Sequence, residues 1–373
     1  MQINRRDWLK KMSLAGGLVL SGGVAIPSLS ASEIRKFHPR PLQDLIKLNS
    51  NENPYGPSEF VRNAMIKAFD IGCRYPGAYS ETLLDKIAQK EGITKDHIVI
   101  TGGSTEGLKL AGLTFASNGG KIIAGQPTFL AMMSFAEKMG ATTDWVPVDD
   151  ELKYDLEEID RRIDDQTSLI FLCNPNNPTG TLVDKNKLTS FCENASNKTM
   201  VFSDEAYYDF ITEPDYPSMV ELVKKDMNVI VSRTFSKVYG LAGLRIGYLI
   251  AKPEIASKIR SNMVAYTNIL AIEAANAAME DQAFYDFAIT KNLEAKKLIT
   301  DQLDQLNLKY VPSHTNFVFF QSGRPIQKLQ KQMADLGVQV GRPFPPFMDW
   351  CRISTGTIEE VQQFNQALTK IYS

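Results

Sequence analysis

The 373-residue chain is short of the side chains that build metal sites and disulfide frameworks. Its four cysteines (Cys73, Cys173, Cys192, Cys351) are widely spaced and form no C-x-x-C pair. Its three histidines (His38, His97, His314) fall in no metal-ligand spacing. Both scarcities argue against a zinc site or a disulfide scaffold, although a single catalytic histidine stays open. Neither sign of charge dominates: 41 Lys plus Arg stand against 43 Asp plus Glu, for a net charge of −2. The chain therefore carries no electrostatic footprint for nucleic acid or an anionic membrane. Repeats of fixed period and low-complexity tracts are absent too. What remains is 43% hydrophobic and 23% charged residues, the make-up of a soluble globular protein, at a length that suits two domains.

The N-terminus reads Asn4-Arg5-Arg6-Asp7-Trp8-Leu9-Lys10-Lys11, then a weakly apolar stretch from Met12 to Ile26 rich in Gly, Ser and Ala. That stretch is shorter than the ~20 residues a membrane span needs. Small residues follow at Pro27 to Ala31. The segment resembles a bacterial twin-arginine export signal, which implies a periplasmic or otherwise exported protein with cleavage near Ser30 or Ala31 and no stable membrane insertion afterwards. Residues 1–31 are set aside from the fold on that basis.

Further along, short unbroken apolar runs alternate with helical patterns. The runs are His97–Ile100, Lys121–Ala124, Ser168–Leu172, Met200–Phe202, Asn228–Val231 and Ile246–Ile250. Continuous rather than alternating hydrophobicity marks strands covered on both faces, as in a largely parallel sheet with helical crossovers. Helical stretches such as Glu106–Ala116 and Thr128–Met139 lie between them. The expectation is a large α/β domain over residues 65–275. Beyond it the pattern predicts a helix over Asp286–Leu306, a strand over Asn316–Phe320, a helix over Ile326–Leu336, and short strands at Val338–Val340 and Arg352–Ser354. These make a smaller α+β domain over residues 276–373, with residues 32–64 as an N-terminal arm joined to it.

Ligands in open α/β sheets bind just beyond the carboxyl ends of the strands. Here several strands run directly into polar clusters. Ile98–Ile100 leads into Thr101-Gly102-Gly103-Ser104-Thr105, which opens a helix and suits an anion, though such turns often bind nothing. Ile170–Leu172 leads into Cys173-Asn174-Pro175-Asn176-Asn177-Pro178-Thr179-Gly180, also ordinary turn stock. Val201–Phe202 leads into Ser203-Asp204-Glu205-Ala206-Tyr207, equally readable as a helix cap. Val229–Val231 leads into Ser232-Arg233-Thr234-Phe235-Ser236-Lys237, with glycines and Arg245 following. Lysines are mostly solvated surface charges. Hydroxyls before Lys237 and apolar residues after it set it apart.

Together these segments resemble the class I/II aminotransferases of fold type I, which use pyridoxal 5'-phosphate, and most closely the histidinol-phosphate aminotransferase branch. The likeness runs from about Leu45 to the C-terminus. It implies that Lys237 forms the Schiff base with the cofactor. It implies too that Thr234, Ser236 and Arg245 hold the cofactor phosphate with help from Ser104 and Thr105, and that Asp204 sits beneath the pyridine nitrogen. Tyr207 and Asn177 match the partners of the phenolic oxygen, and Phe129 the stacking ring. Tyr75 matches a tyrosine reaching the neighbouring subunit's phosphate, so a homodimer is implied. Arg352 matches the arginine that grips the substrate α-carboxylate. Arg342 stands where that branch has an arginine for the substrate phosphate; it serves that or another anionic group, or is a rim charge. Tyr55, in Asn51–Pro57, resembles a segment near substrate. No metal is implied.

Each assignment is chemically coherent. An anionic Asp204 keeps a pyridine nitrogen protonated, and a free Lys237 amine can move a proton at the substrate Cα. A planar Arg352 fork matches a carboxylate bidentately. The implied reaction moves an amino group between an L-amino acid and a 2-oxo acid. Two readings compete: a decarboxylase, lyase or racemase of the same fold, and a non-catalytic binding protein. The unbroken set of site residues, Lys237 above all, weighs against the last.

Overall fold

The computed structural model describes residues 45–373; the segment expected to be an export signal and the expected arm up to residue 44 lie outside the described residues. Eleven strands are present among them: β1 (Ile46–Lys47), β2 (Ile98–Thr101), β3 (Lys121–Gln126), β4 (Thr142–Pro147), β5 (Thr167–Cys173), β6 (Met200–Asp204), β7 (Val229–Thr234), β8 (Gly247–Ala251), β9 (Phe317–Gln321), β10 (Val338–Gln339) and β11 (Trp350–Ser354). Seven of them form one sheet in the order β2-β8-β7-β6-β5-β3-β4. Within it β8 alone runs against its neighbours, and the remaining pairings are parallel.

The unbroken apolar runs are central strands, as their pattern requires. In β5, Ile170 and Leu172 face one core while Leu169, Phe171 and Cys173 face the other. Both faces of the sheet are thus covered, each fully buried aliphatic side chain contributing about 1.5–3 kcal/mol. The helix Ser104–Ala116 lays Leu108 and Ala111 on one face, and the helix Ile269–Ala278 lays Ala271 and Ile272 on the other.

A separate core holds Leu48, Ile299, Leu303, Val318, Phe320, Ile353 and Phe364. It is assembled from the long helix Gln282–Gln305, the antiparallel pair β9 and β11, the helix Ile358–Tyr372, and β1 paired with β10. The residues just before the large sheet thus share a core with the C-terminal residues. Alternation decides what the β9–β11 ribbon presents. Val318, Phe320, Cys351 and Ile353 enter this core, so Phe317, Phe319, Trp350, Arg352 and Ser354 point the other way.

Two boundaries differ from expectation for visible reasons. The helix expected over Thr128–Met139 is regular only over Ala131–Ala136. Thr128 Oγ1 is engaged by Tyr154 OH at 2.7 Å and donates to Asn176 Oδ1 at 2.9 Å, which ties the start of the segment to the sheet end instead. The long helix begins at Gln282, ahead of Asp286, because Asp281 accepts from the Phe284 N–H at 3.1 Å and caps it.

Candidate active site

The carboxyl ends of β2, β3, β5, β6 and β7 converge on a cavity of about 610 Å³, into which the turn before β8 and the ribbon residue Arg352 also reach. Its walls include Ser104, Thr105, Phe129, Asn177, Asp204, Tyr207, Ser236, Lys237, Arg245, Arg342 and Arg352. Residues far apart in the chain are therefore brought together by strand order.

At the centre, Lys237 Nζ donates to the backbone oxygen of Asn51 at 2.9 Å and lies 5.4 Å from the centroid of the Tyr207 ring. Tyr207 OH accepts from Asn51 Nδ2 at 2.9 Å and from Asn177 Nδ2 at 3.3 Å. Arg352 closes the ring of contacts: Nη1 donates to Asn177 Oδ1 at 2.8 Å and Nη2 to the Asn49 carbonyl at 2.7 Å. Its Nε is buried with no partner. Asp204 is 2% exposed, and its Oδ1 is buried with no partner either. Burial pushes the Asp204 carboxyl up to about 7, with the Ala206 N–H pulling back. Burial, then the Arg352 charge, lowers the Lys237 ammonium to about 8, and burial lowers Arg352 to about 10.

The other end of the cavity is a cradle for an anion. Ser104 and Thr105 form the first turn of the helix Ser104–Ala116, where N–H groups have no intrahelical acceptor. Gly103 precedes them at φ +84°, and a Cβ there would sit 2.9 Å from the Arg245 guanidinium carbon. Only glycine lets that arginine come so close to the helix start. Arg245 Nη1 approaches Ser236 Oγ at 3.4 Å and donates to Ala242 O at 2.7 Å. Arg245 and Asn51 both hold left-handed backbone, at φ 57° and 54°. Such conformations cost about 1–3 kcal/mol and cluster at functional sites.

Three candidate residues sit off the cavity wall of their own chain. Thr234 is buried at the end of β7, and its Oγ1 accepts from the Ser236 N–H at 3.1 Å, so it shapes the turn rather than facing the cavity. Tyr55 packs edge-on against Phe287 with centroids 4.9 Å apart, within the turn that the Gly56 N–H closes onto the Asn53 carbonyl at 3.2 Å. Tyr75 is 91% exposed, in a loop between two short helical turns. Asn51, Asn49, Glu52, Cys173 and Gln330 line the cavity without having been singled out from the sequence. Asn51 is the most connected of them: its N–H donates to Ser354 Oγ, which in turn donates to Asn51 Oδ1, both at 2.8 Å. The Asn51–Pro57 segment was the only sequence signal for it.

These residues fit pyridoxal phosphate. The partnerless Oδ1 of the Asp204 carboxylate calls for a protonated ring nitrogen. The Asn177–Tyr207 donors call for an oxyanion, and the cradle calls for a phosphate.

The fold and this donor set define an aminotransferase: residues 43–368 match the family described as Aminotransferase class I and II, and the chain belongs to it. Among its relatives, a histidinol-phosphate aminotransferase of Moorella thermoacetica is 36% identical, over 88% of this chain and 86% of the relative. Another, of Halalkalibacterium halodurans, is 35% identical, over 86% of this chain and 87% of the relative. The histidinol-phosphate aminotransferase of Sinorhizobium meliloti, solved in complex with pyridoxal-5'-phosphate, superposes with a TM-score of 0.82 at 25% identity, covering 93% and 95% of the two chains. The protein is a pyridoxal-phosphate-dependent aminotransferase with the fold of that class.

Proposed function

We propose that this site exchanges an amino group between an L-amino acid and a 2-oxo acid, with Lys237 as the reactive amine and Arg352 as the carboxylate anchor. The observation that carries the reading is one cavity lined by both the depressed Lys237 amine and an Asp204 carboxylate whose Oδ1 has no partner. Bound there, pyridoxal phosphate supplies an aldehyde for amine exchange and a cationic ring that draws electrons from the substrate Cα. Asp204 holds the proton on the ring nitrogen. Tyr207 and Asn177 donate to the phenolic oxygen, and Phe129 offers its ring face. Ser104, Thr105, Ser236 and Arg245 bind the phosphate, with Thr234 holding the turn that presents Ser236. Arg352 takes the α-carboxylate through its two terminal nitrogens and so sets which Cα bond faces the ring. Lys237 Nζ, neutral above about pH 8, is the base at the Cα proton.

Arg342 lines the same cavity and suits a second anionic group on the substrate, such as the phosphate in the name of the relatives' substrate. The chain works as a homodimer in this reading. Tyr75, exposed on its own chain, then acts on a neighbouring copy. Twin-arginine export places the enzyme outside the cytoplasm.

Borohydride trapping followed by peptide mapping tests the central assignment: the cofactor is fixed to Lys237, and Lys237→Ala loses amino transfer by at least ~1,000-fold while still holding cofactor noncovalently. Undiminished transfer in that variant removes the lysine from the mechanism. Carbon dioxide release without formation of a new amino acid would favour the decarboxylase alternative.

A further inference from the structure

We propose that Phe344 is a shared platform that positions both cavity arginines, and so is a specificity-determining residue that touches neither substrate nor cofactor. The inference rests on the carboxylate role of Arg352.

Phe344 is 3% exposed, and two guanidinium groups lie over its ring. The Arg342 carbon is 4.3 Å from the ring centroid and the Arg352 carbon 5.0 Å. Both fall inside the ~6 Å at which a cation is attracted to an aromatic face. Arg352 has a second ring beside it, Phe317 at 5.5 Å. Arg342 has little else to hold it: its one hydrogen bond is from Nη1 to the carbonyl of the adjacent Pro343, at 2.9 Å.

The ring is itself held from behind. Phe319 meets Phe344 edge-on at 6.1 Å and stacks on Trp350 at 4.9 Å, and Leu152 packs into the same cluster. Phe319 lies opposite Arg352 in the β9–β11 ladder, so the cluster stands on the strand that carries the arginine. The loop with Arg342 and Phe344 is pinned to that strand at its start. Gly341 N–H donates to Arg352 O at 2.9 Å, and a Cβ on Gly341 would come within 3.2 Å of the Arg352 side chain. Gln330 Nε2 donates to Gly341 O at 2.9 Å from the other side.

Arg352, also fixed by its hydrogen bonds to Asn177 and Asn49, and the otherwise weakly held Arg342 keep a fixed spacing over one rigid ring, whereas on an aliphatic surface Arg342 would sample several rotamers before an anion arrived. The fixed spacing favours a substrate whose α-carboxylate and second anionic group match it.

The test uses holoenzyme of Phe344→Leu, Phe344→Met and Phe344→Tyr with a neutral donor and a dicarboxylic donor. Leu and Met keep comparable apolar bulk without an aromatic face; Tyr keeps the face. Either Leu or Met should raise KM for the neutral donor about fivefold and for the dicarboxylic donor at least about tenfold, with kcat within about twofold. Cofactor affinity should not change, and Tyr should restore both KM values. Wild-type KM for either donor in a folded Leu or Met variant overturns the platform, as does a Tyr variant no better than Leu. Arg352→Lys is the control for the underlying reading. An unchanged KM there withdraws the carboxylate role itself, whereas a raised KM there with unchanged Phe344 variants defeats the platform alone.

Discussion

Asp204 shows how one side chain trades stability for chemistry. Its carboxyl is pushed from an ordinary 3.8 up to about 7 by burial, the largest influence on it. Between those pH values the folded state keeps a proton that the unfolded state has lost, so this group's contribution to stability falls as pH rises through the window. Above about 7 its full penalty is present. Asp204→Asn removes the charge with little change of shape. In cofactor-free protein at pH 8 it should raise the thermal midpoint by roughly 3–6 °C, with the gain shrinking towards pH 4. The same variant should lose at least ~100-fold in turnover, because a neutral amide cannot hold the ring nitrogen protonated. Calorimetry of cofactor-free protein at pH 5 and pH 8 checks the first part; a lower midpoint than wild type at pH 8 would show that the carboxylate stabilises the site it occupies. Lys237, lowered to about 8, is likewise held in a state that folding alone disfavours.

At the scale of the element, strands β6 and β7 place Asp204 and the turn that carries Lys237, and a buried ion pair joins them. Arg233 Nη2 lies 2.7 Å from Glu205 Oε2, with side chains 7% and 4% exposed. Glu205 also accepts from Ser218 Oγ and the Met219 N–H, both at 2.8 Å, and Arg233 lies 4.1 Å from the Tyr208 ring centroid. Arg233→Met would leave Glu205 buried and uncompensated, which costs about 3–5 kcal/mol. Burial already raises the Glu205 carboxyl and the Arg233 charge opposes that rise, so without Arg233 the loss should be larger at pH 8 than at pH 5.5. Glu205→Gln added to it should recover most of the loss. Urea unfolding of both variants at the two pH values reads this out, and a pH-independent difference would mean the pair does not carry the effect.

The same strands explain which parts of the site could be read in the sequence. Asn177, Asp204 and Lys237 lie in polar clusters that follow unbroken apolar runs; each cluster alone reads equally as a turn, a cap or a surface charge, and what marks them is their occurrence together in the order of the aminotransferase family. Asn51 was not singled out in this way, since its place in the site depends on Ser354, 303 positions away, and local pattern carries no trace of such a pairing. Edge strand β4 was missed for a different reason: Thr142, Thr143 and Asp144 suit a strand half open to water but break the apolar run used to recognise the others. Phe344 lies in a proline-rich stretch with no local signal of its own, since only the fold sets two arginines over its ring.

For the whole molecule, what counts is how much of the site a single chain carries. One chain supplies the lysine, the carboxylate, the anion cradle and both arginines, yet leaves Tyr75 91% exposed, with Tyr266 at 75% and Val264 at 93%. Large apolar side chains left this open mark interaction surfaces when they lie together. Pro76, next to Tyr75, and Tyr266 line a common cavity of about 330 Å³. If two copies pair about a two-fold axis, each would lend Tyr75 to the other's cofactor phosphate. Lys237→Ala is then inactive because it lacks its own amine, and Tyr75→Ala is impaired because it starves its partner. In a heterodimer of the two variants, the subunit that keeps Lys237 receives an intact Tyr75 and has a complete site. Random re-pairing of equal amounts makes half the dimers mixed, with one good site in two. Activity should therefore climb to about a quarter of wild type, above the sum of the separate variants. Activity that stays at that sum after confirmed subunit exchange would show that Tyr75 does not act in the site of a neighbouring chain.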